Sequence, residues 1–158
     1  MKYEDLIPQL GQVSLIVGRN SIGKTALLQH FKTMHSGNDT AWQKNVDLSA
    51  VKTAVRGMEI AGNAIIIDEF ENKTYKRHGR GTWQRLFEVA HMHGVQVAAI
   101  GYSFDTVTTF LQEALRLPAV HTVVMRMTYS IYEPREVVGV SYSAKHFQTL
   151  LDNAMDVR

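Results

Sequence analysis

Apolar residues in this chain fall into two patterns that alternate along its length. Four uninterrupted runs, VSLIV from Val13, AIII from Ala64, VQVAAI from Val95 and VHTVVM from Val120, have the length and composition of strands buried on both faces. Between them the apolar positions recur with helical period. Leu48, Val51, Val55 and Met58 share one face behind a cap at Asp47. Trp83, Leu86, Phe87 and Ala90 form an i, i+3, i+4, i+7 set that Thr82 would cap and Gly94 would end. Val107, Phe110, Leu111, Ala114 and Leu115 repeat the arrangement ahead of Pro118. Strand and helix in turn predict an α/β fold, a mostly parallel central sheet flanked by helices.

The last third breaks this rhythm. In TVVMRMTYSIYEPREVVGVSY two β-rich runs flank Glu133, Pro134 and Arg135, which predicts a C-terminal antiparallel hairpin at a sheet edge. A final helix capped by Ser143 would bury Phe147, Leu150, Leu151 and Ala154 and close the fold.

Composition narrows the class without naming a function. A length of 158 residues suits one domain, residues 1–158, and 45% hydrophobic with 20% charged residues is a globular balance. The net charge of +2 favours no particular partner. With no cysteine, disulfides and thiolate metal sites are excluded. The N-terminal MKYEDLIPQL lacks the continuous apolar core of a secretory signal, and no run reaches the length of a membrane span. A cytoplasmic location is expected, in a host's cytoplasm or a virion if the protein is viral.

Chemistry enters at VGRNSIGKT, Val17 to Thr25, directly after the first apolar run and ahead of ALLQHF. Gly18 and Gly23 allow backbone angles and close approach that a side chain would block, so successive N–H groups can converge on phosphate oxygens. Gly18, Arg19, Asn20, Ser21, Ile22, Gly23, Lys24, Thr25 and Ala26 would together cradle the phosphates of ATP. Lys24 supplies a positive charge to the β and γ phosphates, Thr25 offers a hydroxyl to Mg²⁺, and the following helix points its positive end at the anion. With glycine near 7% of residues, the full pattern arises by chance in fewer than roughly one chain in a hundred of this size.

A phosphate loop of this kind requires a carboxylate from another strand. NAIIIDEFEN places Asp68 and Glu69 at the end of the second apolar run, where ligands bind in open α/β sheets. Asp68 would hold Mg²⁺ and Glu69 would polarise the water that attacks the γ phosphate. Any buried strand can end in a solvated DE pair; the phosphate loop is what turns this pair into a site.

These motifs resemble the additional-strand, RecA-like P-loop ATPases. The order IIIDEF, a basic loop, WQRLFEVAHMHG, VQVAAIGYS and HTVVMRM is similar, over roughly Val13 to Met127, to the FtsK-HerA superfamily, which includes DNA pumps and viral genome-packaging ATPases. That resemblance implies an ATP-driven translocase on double-stranded DNA, self-associated into a ring, a hexamer in form, with viral capsid or portal-vertex proteins as partners. It implies a polar sensor after the strand VQVAAI, for which Ser103 is the nearest candidate; Ser103 also fits the N-cap of the next helix. It further implies a basic residue acting on a neighbour's site, with Arg80 and Arg85 the candidates.

Those arginines belong to KTYKRHGRGTWQR, a segment without acids whose Gly79 and Gly81 predict a mobile loop. It reads as a solvated loop, as a source of a trans-acting arginine or as a lining for a DNA channel. His91 and His93, two apart on a helix, do not face each other and read as helix-end donors. Alternative functions are a RecA/KaiC-like recombination or helicase ATPase, a small P-loop kinase, and a non-hydrolysing nucleotide-dependent scaffold or loader.

Overall fold

The computed structural model describes residues 3–34, 40–43, 64–68, 75–101, 103–133 and 135–153. Strand β1 (Val13–Gly18) leads through the phosphate loop into helix α2 (Lys24–Met34), and a short helix α1 (Tyr3–Leu6) precedes it. Then come β2 (Thr40–Gln43), β3 (Ala64–Ile67), α3 (Tyr75–His93), β4 (Gln96–Ile100), α4 (Phe104–Arg116), β5 (Thr122–Tyr129), β6 (Val137–Ser143) and α5 (Ala144–Asp152). The six strands form one sheet in the order β2-β3-β4-β1-β5-β6. All neighbours run parallel except β5 and β6, which pair antiparallel from Val123 opposite Ser143 to Tyr129 opposite Val137. The four apolar runs are the four inner strands, as their composition predicts. No helix among the described residues is long and apolar enough to cross a membrane.

Side-chain alternation divides the core between two faces. Val13, Leu15, Val17, Ile65 and Ile67 point to α3, α4 and α5, where Trp83, Phe87, Phe110 and Phe147 are buried together. Trp83 meets Phe110 edge-on with ring centroids 5.0 Å apart. Ile16, Ala64, Ile66, Ala98 and Ile100 point the other way, against Leu27, Leu28 and Phe31 of α2 and Leu6 of α1. Thus α2 is clamped to the sheet by three large side chains, which fixes the phosphate loop at its start.

Three expectations are corrected. Thr82 caps no helix: α3 begins at Tyr75, and Thr82 is buried within it. The basic segment from Tyr75 onward is accordingly helix, with Gly79, Arg80, Gly81 and Arg85 inside it, rather than a mobile loop. Two glycines each cost about 1 kcal/mol of helix propensity. Burial of the apolar face from Trp83 to Ala90 outweighs that cost and carries the helix backward through residues with no periodic signal. Leu115, expected on the buried face of α4, is exposed. The expected helix from Leu48 to Met58 with its cap Asp47, and Ala154 at the end of the last helix, lie outside the described residues.

The other caps follow the sequence. Gly94 ends α3, its N–H donating to Ala90 O at 3.1 Å. Ser143 Oγ accepts from His146 N–H, and Ser103 Oγ accepts from Thr106 N–H at 3.1 Å. Replacing Ser103 by alanine should lower stability by about 1 kcal/mol, read from urea unfolding. A slowing of turnover beyond that small loss would mark contact with nucleotide as well.

Candidate phosphate site

The loop between β1 and α2 takes its shape from two glycines and one strained serine. Gly18 has φ +147° and Gly23 φ +99°, and Ser21 adopts φ +62°. A Cβ on Gly18 would stand 2.5 Å from the Met127 carbonyl oxygen of neighbouring β5, a contact backbone cannot relieve. At Gly23 the same atom would lie 2.6 Å from the Tyr3 hydroxyl. Between them Ile22 is buried against the α2 face and pins the loop, while Arg19, Asn20 and Ser21 are exposed. Gly18→Ala should cost about 1–3 kcal/mol, seen in urea unfolding, and should weaken nucleotide binding in parallel.

Lys24 is only 4% exposed. A buried ammonium is unfavourable unless hydrogen-bonded, and its Nζ donates to the carbonyls of Gly18 and Arg19, each at 2.6 Å. The lysine therefore reaches back over the loop it follows. Its charge is held at the start of the loop, and an anion seated in the loop would gain from it and from the N-terminal end of α2.

Thr25 Oγ1 donates to Asp68 Oδ1 at 2.9 Å. The two residues stand on opposite sides of β4, which separates β1 from β3. Two strand spacings are about 10 Å, so the contact exists because the first turn of α2 leans over the end of β4. Asp68 is 9% exposed, at the mouth of its strand. Hydroxyl and carboxylate are both hard oxygen donors, a set that suits Mg²⁺, which commonly takes one or two carboxylates together with substrate phosphates.

A cavity of about 390 Å³ opens here, lined by Ser21, Gly23, Lys24, Thr25, Ala26 and Gln29. Small-molecule sites span about 300–1,000 Å³. Gln29 had no part in the motif; only its helical spacing from Thr25 and Ala26 could have flagged it.

Among solved structures the chain is similar to the VirB11 ATPase of the Brucella suis type IV secretion system in complex with sulphate, with TM-score 0.57 and 12% identity over 89% of this chain and 52% of that one. It is also similar to the replication initiator DnaA bound to AMPPCP and single-stranded DNA, with TM-score 0.53 and 12% identity over 99% of this chain and 51% of that one. AMPPCP-bound DnaA from Aquifex aeolicus gives 0.52 and 11% identity, again over 99% and 51%. The fold is that of a P-loop NTPase. The chain spans about half the length of each of those structures. No protein-family model matches it, and no curated protein matches it in sequence.

The remaining predicted residues divide sharply in placement. Glu69 lies outside the described residues. Arg80 is in the helical backbone of α3. Arg85, half-exposed on α3, pairs with Glu88 one turn on at 3.7 Å, a surface contact of little energetic weight. Ser103 lies just beyond β4 at the same end of the sheet as the P-loop, its hydroxyl also 2.9 Å from that of Thr106. His91 and His93 are exposed in the last turn of α3. Among the described residues, no three His, Asp or Glu side chains gather as a metal site.

Proposed function

We propose that this chain is an ATPase that uses Mg²⁺·ATP hydrolysis to move double-stranded DNA, as a ring of six copies packaging a viral genome in the manner of the FtsK-HerA motors. The observation that carries the nucleotide part is the Thr25–Asp68 hydrogen bond at 2.9 Å. It joins the hydroxyl of the phosphate loop to a carboxylate 43 residues away in sequence. The AMPPCP in the DnaA structures is consistent with a triphosphate on this fold.

In this reading the N–H groups of Gly18 to Ala26 and the Lys24 ammonium bind and orient the triphosphate. Thr25 and Asp68 hold Mg²⁺, which when bound supplies positive charge beside the terminal phosphates. Glu69 takes a proton from the attacking water. Arg80 or Arg85 completes a neighbouring copy's site, and Ser103 reports the state of the γ phosphate while capping α4. The motor occupies one domain, residues 1–158, acts in the cytoplasm, and meets capsid or portal-vertex proteins. DNA binding by the DnaA neighbour, there single-stranded, is compatible with a nucleic-acid partner.

Phosphate release by purified protein, with and without duplex DNA and alongside its mass in solution, tests the proposal. Release that rises with DNA, from an assembly of several copies, is the expected result. Release indifferent to DNA from a monomer removes the motor; absence of release removes the ATPase.

A further inference from the structure

The cavity at the P-loop extends beyond the residues that suit phosphate. From Thr25 and Ala26 it continues to Gln29, which shares their face of α2. Four residues of helix advance about 6 Å, so the Gln29 amide stands a further turn along from the positions suited to phosphate. A nucleotide laid along the cavity from Thr25 toward Gln29 would place its ribose over that interval and its base within reach of the glutamine side chain. The Gln29 carbonyl accepts from Thr33 Oγ1 at 3.0 Å, whereas its side-chain amide is exposed and makes no hydrogen bond with another described residue.

A primary amide sets a donor beside an acceptor. Adenine offers the complement on one edge, the N7 acceptor next to the N6 amino donor. Guanine offers two acceptors on that edge, N7 and O6, and its donor N2 lies on the opposite side of the base. Reading guanine through its donors calls for a carboxylate, and none of the six residues lining the cavity is an acid.

We propose that Gln29 is the specificity-determining residue for the base, donating from Nε2 to adenine N7 and accepting from adenine N6–H at Oε1. The inference rests on the nucleotide reading of the site and adds which base is selected and by what group.

Calorimetric titration of the full chain with ATP, GTP and inorganic tripolyphosphate, each with Mg²⁺, separates base from phosphate recognition. The original protein should prefer ATP over GTP by about tenfold, within the range of one bidentate contact. Gln29→Ala should lose that preference through weaker ATP binding, with tripolyphosphate unchanged. Gln29→Glu, which cannot donate to N7, should weaken ATP binding without improving GTP, whose N7 and O6 are both acceptors facing the carboxylate. Gln29 is exposed and alanine favours helix, so the alanine variant should melt no earlier than the original. An ATP-to-GTP ratio that is flat in the original chain, or unaltered in Gln29→Ala, overturns the assignment while leaving the phosphate site standing. Equal weakening of all three ligands also overturns it. Failure of the original protein to bind any of them would instead overturn the nucleotide reading itself.

Discussion

A Glu69→Gln protein should bind Mg²⁺·ATP as well as the original chain does, yet release phosphate about 10²–10⁴ times more slowly. The substitution keeps the size of the side chain and removes its capacity to accept a proton from water. Asp68, one residue earlier, accepts from Thr25 Oγ1 at 2.9 Å. In the proposed reading Asp68 serves the threonine and metal side, and Glu69 is the acid that would act on water. Equilibrium binding and phosphate release, measured on the same preparation, distinguish lost chemistry from lost affinity. Undiminished release would remove Glu69 as the base and favour a site that binds nucleotide without using this acid.

Lys24→Ala should weaken ATP binding by about 100-fold, the loss expected when a charged hydrogen bond worth about 1.5–3 kcal/mol is removed. The same ammonium donates to Gly18 O and Arg19 O, so its removal also loosens the closure of the loop. Arginine should not rescue it, because a planar fork cannot replace a point charge held between two carbonyls at 2.6 Å. Urea unfolding without nucleotide separates the two contributions: the fold should persist, since Leu27, Leu28 and Phe31 still seat α2 on the sheet. Nucleotide affinity that survives in a folded Lys24→Ala protein would remove the lysine from the phosphate site.

Local chemistry was legible wherever one stretch of chain carried its own signal. AIII became β3 residue for residue, because four consecutive aliphatic side chains suit only an element buried on both faces. The caps at Ser103 and Ser143 needed only a hydroxyl beside the first free N–H groups of a helix. The phosphate loop announced itself by two glycines, and both adopt positive φ. By contrast β2, with the sequence TAWQ, carries no apolar run; it is a strand through pairing with β3 at the sheet's end. The start of α3 at Tyr75 was hidden for a related reason, since its first turns contain glycine and charge and are supported by the packing that follows.

The sequence by itself determined that this protein possesses a glycine-bounded loop, a lysine, a threonine and a carboxylate ending a buried strand, the groups that the proposed binding of a phosphate and a divalent cation requires. Their meeting was decided by tertiary structure alone. Thr25 and Asp68 come together because β4 inserts between β1 and β3 and α2 leans across its end, and Tyr3 reaches Gly23 because α1 folds back beside α2. Strand order and helix tilt arise from how distant apolar faces share one core, and no local window of residues contains that information.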